Sequence, residues 1–262
     1  MDTACASSDF FDLCANESPS VVEEALAGWA DANETDENGI TPLMFAASMN
    51  RSDIVDVLLR ADANVDAQDS DGWTVLIWAA IKSDASIVEK LIDAGASVNI
   101  EDNAGWTALL WSTVSGDLRI AEALIAASAD VNLSDHEGIT PSASAAFRGH
   151  SDLLSLLIRS GGDLSASTLD GASVLSWGCE SGTVEIVKIL IDAGASLQAR
   201  DEDGLTSLMV AARKGNVEIV AALIEASADL NVQDVDGWTA LRYAAEFQNK
   251  ETEELLRKSG AR

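Results

Sequence analysis

What is scarce in this 262-residue chain narrows its function before any motif is read. Lys and Arg together number 16 against 44 Asp and Glu, a formal net charge of −28. A nucleic-acid backbone or an anionic membrane surface is repelled by that balance. Only two histidines exist, His136 and His150, and neither has a nucleophile or a second ligand at a useful spacing. No glycine loop of the phosphate-binding kind is present. Three cysteines give no disulfide framework. No apolar run is long enough to span a bilayer, and Met1–Cys5 carries neither the basic nor the apolar part of a secretory signal. These absences lead us to expect no catalysis, no metal, no cofactor, no membrane or nucleic-acid partner, and a cytoplasmic location.

What is abundant is periodicity. Gly39, Gly72, Gly105, Gly138, Gly171, Gly204 and Gly237 follow one another at 33 residues with no insertion or deletion. Self-similarity at that period marks a stack of one supersecondary unit. Hydrophobic residues make up 47%, enough for a continuous core, so disorder is excluded. In the segment 69–80, Asp71-Gly72 forms a tight turn, Thr74 is a natural N-cap, and Leu76, Ala79 and Ala80 share one face of a short helix. Residues 87–92 supply a second apolar helix, and Gly95 ends it in the left-handed conformation. Cys14 and Cys179 occupy the register of Ala47, Ala80, Ala146, Ala212 and Ala245, so they read as small core residues, while Cys5 reads as a free thiol of the tail.

The same grammar recurs as Gly39-Ile40-Thr41-Pro42-Leu43 with the helix 54–59, and as Gly204-Leu205-Thr206-Ser207-Leu208 with the helix 219–224. This resembles the ankyrin repeat family across nearly the whole chain, and in style the stand-alone ankyrin proteins of bacteria. The resemblance implies an all-α solenoid of paired antiparallel helices joined by short β-hairpin fingers, with a concave groove. We expect a protein-interaction module that acts as a monomer. We expect a single domain over 1–262, with a degenerate capping repeat at 1–35, internal repeats at 36–234 and a C-terminal cap at 235–262, about eight units in all. Phe10, Phe11, Leu13, Val21, Val22 and Leu26 would supply the apolar face of the first unit, with Pro19 at its turn.

Departures from the family pattern mark weak joints. Its histidine position holds Met44, Ile77, Leu110, Ala143, Ser176, Met209 and Arg242, so the usual Thr–His network is missing. The helix-ending glycine is replaced by Asp62, Ser128 and Ser227, and by Trp29 in the first unit, each replacement costing roughly 1 kcal/mol. The unit around Gly171, with Ala172, Ser173, Val174 and Gly178, is expected to be the least stable.

Six of seven tryptophans fall on two registers. The helix register that the resemblance places in the groove reads Phe45, Trp78, Trp111, Ser144, Trp177, Val210 and Tyr243. The finger register reads Ile40, Trp73, Trp106, Ile139, Ala172, Leu205 and Trp238. Exposed aromatics favour binding, although finger rings also pack on one another. We therefore take Phe45, Trp78, Trp111 and Trp177 as anchors, with Trp73, Trp106 and Trp238 at the finger tips and Tyr243 as a further partner-binding residue. Glu37, Asp71 and Asp102 would steer a basic partner, and Arg148, Arg213, Lys214 and Arg242 would meet an acidic end. Two alternatives stay open: a passive scaffold or inhibitor whose acidity reflects salt adaptation, and a methyl-lysine reader. For the latter, Trp73, Trp78 and Trp111 are similar in spacing to the cage of the histone-methyltransferase ankyrin domains, with Ile81 where that cage has an acid.

Overall fold

The computed structural model describes residues 3–262, with side chains from Phe10 onward. The thiol of Cys5 therefore lies outside the described residues. They form sixteen α-helices and no strand, in two compact units, Met1–Asp130 and Val131–Arg262.

The first unit holds α1 (Thr3–Asn16), α2 (Pro19–Gly28), α3 (Pro42–Ser48), α4 (Ser52–Arg60), α5 (Val75–Ile81), α6 (Ala85–Asp93), α7 (Ala108–Ser115) and α8 (Leu118–Ala126). Each odd-numbered helix packs on its successor, α1–α3–α5–α7 form one layer, and α2–α4–α6–α8 form the other. Thr41, Thr74 and Thr107 start the inner helices by accepting from the backbone N–H three residues on, at 3.2–3.3 Å. Where the family has histidine, Met44 instead brings its sulfur to within 3.4 Å of the Thr41 N–H. Leu43, Leu76 and Leu109 of the inner layer and Leu58, Leu91 and Leu124 of the outer layer are fully buried, each contributing about 1.5–3 kcal/mol. Between them Ala46, Ala47, Ala79 and Ala80 let the helices approach closely.

The second unit repeats the plan with α9 (Pro141–Arg148), α10 (Ser151–Arg159), α11 (Val174–Ser181), α12 (Val184–Asp192), α13 (Ser207–Lys214), α14 (Val217–Glu225), α15 (Ala240–Glu246) and α16 (Lys250–Lys258). Cys14 in the first unit and Cys179 here are fully buried at the alanine register, and burial pushes both thiols up to about 12. In α11 the register of Ala46 and Ala79 is taken by Gly178. A Cβ there would sit 2.9 Å from Leu190 Cδ1 and 3.0 Å from Ile186 Cγ2, so α12 packs directly on this glycine. The glycine weakens the helix by about 1 kcal/mol but is the only side chain that fits this approach without a shift.

Twenty-one described residues have positive φ, and all fall on three registers of 33 residues. Two of these were anticipated: the finger glycines, and the outer-helix ends that include Asp62, Ser128 and Ser227. The third closes the inner helices and contains Asn50, Ser83 and Gln248 beside four glycines. Trp29 departs from expectation. Its φ is −146°, not left-handed, and it ends α2 while packing edge-on against Phe10.

The fingers are tight turns, with one isolated antiparallel bridge, Ser167–Ser173, among the described residues. Neighbouring fingers stack through the backbone, for instance Ser70 N–H to Asn38 O at 2.8 Å and Asn103 N–H to Asp71 O at 3.0 Å. Gly72 shows how close they lie: with φ at +80°, a Cβ on it would fall 2.8 Å from the Asn103 nitrogen. A further contact chain ties successive outer loops together. Asn33, Asp66 and Asn99 each accept, through a side-chain oxygen, from a backbone N–H 31 residues on, at 2.7–2.8 Å.

Candidate functional site: the aromatic face and its finger carboxylates

The fingers beginning at Asp69, Asp102 and Asp234 open with an aspartate whose two oxygens do different work. Oδ1 closes the turn. That of Asp69 accepts from Asp71 N–H and Trp73 N–H, that of Asp102 from Ala104 N–H and Trp106 N–H, at 2.8–3.0 Å. Oδ2 points at the inner helix that follows. There Trp78 Nε1–H donates to Asp69 at 2.9 Å and Trp111 Nε1–H donates to Asp102 at 2.9 Å. Asp102 also takes Trp73 Nε1–H of the preceding finger at 3.1 Å. Trp78 and Trp111, each nine residues after a finger aspartate, are therefore latched to it.

In the first unit these latches assemble a row of rings. Centroid separations are 5.0 Å for Trp78–Trp73, 5.4 Å for Trp73–Trp111 and 4.7 Å for Trp111–Trp106. All four rings are half-buried. Phe45 is half-buried as well and packs edge-on against Phe11 at 5.5 Å. The first two contacts are edge-to-face, so Trp73 packs against both Trp78 and Trp111 instead of leaving an opening between them. Asp71 is exposed beside the row, with its carbonyl committed to the next finger. Asp102, expected to steer a partner, is instead 6% exposed and saturated by two indoles and two amides.

The second unit separates its aromatics. Near the C-terminal end, Tyr243 O–H donates to Asp234 Oδ2 at 2.7 Å, and Tyr243 lies 5.2 Å from Trp238. Burial raises the Tyr243 phenol to about 12, helped by the Asp234 carboxylate. Burial also pushes Asp234 upward, but hydrogen bonds from Tyr243 and from the Trp238 and Asp236 amides outweigh it and hold the carboxyl below its usual range. The Arg242 guanidinium sits 4.2 Å over the Trp238 ring, a cation–π contact within the chain. Arg213 and Lys214 both pair with Glu180, at 3.3 and 2.7 Å. Three of the four cations expected to meet an acidic segment are thus already engaged.

Trp177 is the exception to the latch. Position 168, in register with Asp69 and Asp102, is threonine, and its hydroxyl donates to Asp170. Trp177 Nε1 is buried without an acceptor, and the ring packs edge-on against the exposed Phe147 at 5.1 Å. It borders a cavity of about 440 Å³ shared with Phe147, Leu205, Val210 and Arg213, and a second of about 280 Å³ shared with Ile139, Thr168 and Leu169.

Among known families, a model of three consecutive ankyrin repeats matches residues 10–102, 52–135, 82–168, 109–201 and 175–262. The chain belongs to the ankyrin repeat family. Ankyrin repeats are protein–protein interaction modules and are typically not enzymes. A comparison with curated proteins finds no match. No helix of this ankyrin protein, among the described residues, is long and apolar enough to cross a membrane. The Asp-x-Asp-Gly strings of its fingers spend carboxylate oxygens on turn amides, as Asp201 does with Leu205 N–H at 2.7 Å and Asp234 with Trp238 N–H at 2.8 Å.

Proposed function

We propose that this ankyrin protein binds a protein partner through the inner-helix and finger face, with Trp78, Trp73, Trp111 and Trp106 as its anchor row and no chemistry of its own. The observation that carries the reading is the latching of three of these indoles by Asp69 and Asp102 while the rings stay half-exposed. Tryptophan is the residue most enriched at binding hot spots, and rings already fixed lose little conformational entropy on association. Phe45 extends the row on one side, and Trp177, Trp238 and Tyr243 provide further contacts. The unbroken register from Gly39 to Gly237 supports treating 1–262 as one array, which we take to act as a monomer.

The partner we favour is basic. The chain carries −28, and Glu37 and Asp71 stand exposed on the fingers next to the row. Encounter with such a partner is accelerated by long-range attraction and slows as salt is added. The methyl-lysine reading is less well supported, because the three rings it needs pack on one another and Ile81 supplies no charge.

The test is a selection of peptides from a displayed random library, followed by affinities for the native protein and for a Trp78→Ala, Trp111→Ala variant that retains its circular dichroism. Loss of two hot-spot rings should weaken the selected peptides by about 100-fold or more. Basic residues should be enriched, and the association rate should fall between low and physiological salt. Equal affinity for both proteins would move the site away from the row. Optimal folding only in molar salt, with no peptide selected, would support the scaffold reading with salt-adapted acidity.

A further inference from the structure

The second unit holds a different kind of surface from the aromatic row. The cavity of about 440 Å³ is walled by Phe147, Trp177, Leu205 and Val210, and its rim carries Asp170, Glu180, Asp201 and Asp203. One cation lines it, Arg213, and that guanidinium is paired with Glu180. Glu180 is taken up by Arg213 and by Lys214 beside it, which leaves Asp170, Asp201 and Asp203 without an ion-pair partner among the described residues around the two aromatic rings. The volume is in the range, about 300–1,000 Å³, that accepts small organic groups.

We propose that this cavity receives a lysine or arginine side chain from the protein partner. The inference rests on the interaction role above and assigns that role a second, cation-specific contact. The alkyl stem would lie against Leu205 and Val210, and the charged head would meet the faces of Phe147 and Trp177 within reach of Asp170 and Asp203. A cation is attracted to such ring faces, the more so where water is partly excluded. The carboxylate of Asp203 is exposed and makes no hydrogen bond or ion pair within the described residues, so its charge is available. Asp170 keeps its charge firmly, because the Thr168 hydroxyl holds its carboxyl below the usual range.

The break in the latch register gives the pocket its adaptability. Trp78 and Trp111 are fixed by an aspartate nine residues earlier, but Trp177 faces Thr168 and has no such hold. It also forms a wall of both the larger and the smaller cavity. On this proposal a shift of its ring would enlarge one space at the expense of the other, which suits a site that closes around a side chain of variable length. Leu169, one of the most exposed apolar residues described, lines the smaller cavity and extends the apolar rim for the segment carrying the cation.

The probes are N-acetyl-arginine methylamide and N-acetyl-lysine methylamide, with the norleucine and glutamate analogues as controls. The readout is the set of indole N–H signals of the full chain by NMR, with Trp177 assigned from a Trp177→Phe variant. The expected result is a saturable shift of the Trp177 signal with the two cationic probes, with the Trp111 signal unchanged. Asp203→Lys, at an exposed position whose side chain holds nothing else, should weaken that binding by about tenfold or more. An equal shift with norleucine would overturn the claim of charge recognition. Saturation by the glutamate analogue would assign the site to Arg213 and to an acidic partner. Parallel shifts at every indole would reduce the effect to the general field of an acidic protein. The two readings fail separately: library peptides that bind the Trp78–Trp111 row yet ignore Asp203→Lys refute only the pocket, whereas no selectable peptide refutes the interaction role.

Discussion

Asp102 is the residue on which the aromatic row depends most, and a single-atom change isolates why. In Asp102→Asn the Oδ1 atom still accepts from the Ala104 and Trp106 amides, now at 2.8 and 2.9 Å. The other oxygen becomes an NH₂ group aimed at the indole N–H groups of Trp73 and Trp111, which now donate to it at 3.1 and 2.9 Å. Three donors then face one another without an acceptor. A hydrogen bond to a charged group contributes about 1.5–3 kcal/mol when dry, and the half-exposed rings let water replace part of that. Taking about 1 kcal/mol for each indole, the substitution should destabilise the first unit by about 2 kcal/mol. In a Trp73→Phe, Trp111→Phe background the donors are gone and the same change should be nearly silent. Urea unfolding followed by far-ultraviolet circular dichroism across the four proteins gives the coupling energy, and the loss of ring area cancels in the cycle. Additivity within about 0.5 kcal/mol would refute the reasoning, since independent sites behave that way.

Tyr243→Phe should be less stable than the native protein at neutral pH, and urea midpoints should converge below pH 4 and again above pH 10. Asp234 is depressed in the fold, so its contribution is present above its unfolded value and lost as pH falls through the folded one; Tyr243, raised to about 12, contributes below about pH 10 and loses that as pH climbs toward 12. Arg51→Ala should free the N-terminal helix pair, because Arg51 donates to the carbonyls of Ala15 at 2.5 Å and Glu17 at 2.6 Å at the end of α1; we expect a loss of about 2 kcal/mol and faster hydrogen exchange over residues 10–28 alone. Cys14 and Cys179 should resist thiol reagents in the native state, since burial raises both to about 12, so colorimetric titration should find no more than one reactive thiol until urea is added. Thr168→Asp should restore an acceptor for Trp177 Nε1, slowing exchange in α11 by about fivefold for a gain near 1 kcal/mol.

The fold was legible because 33-residue periodicity is written in glycines whose positive φ only a few residue types tolerate. The Thr N-caps, the alanine register and the buried cysteines followed from the same alignment of positions. Trp29 did not follow, since a register position outside the regular repeats need not keep its backbone conformation. The latch was visible in principle: Asp69 with Trp78, Asp102 with Trp111 and Asp234 with Tyr243 are each nine residues apart. It was missed because the same aspartates already had a sufficient explanation as turn formers. A carboxylate has two oxygens, and turn chemistry uses one. The cations were misread for a related reason. Glu180 lies 33 residues before Arg213, so stacking brings the two together, and a basic residue counted alone says nothing of the acid one repeat away.

In a periodic protein, the residues that repeat and those that break the repeat carry different information. A contact made at every turn of the array holds the array, so the finger aspartates are primarily structural even though they are acidic and near the surface. Thr168 is different because it breaks a register that Asp36, Asp69, Asp102, Asp135, Asp201 and Asp234 all keep. Regular stacking does not require that change, and it leaves one indole unlatched where Asp170, Asp203 and Phe147 border an open cavity. On the proposed reading, the aromatic row and the Trp177 cavity divide two tasks of partner binding. Fixed rings would supply affinity at low entropic cost, and a ring without its latch would supply room to accommodate what the partner brings.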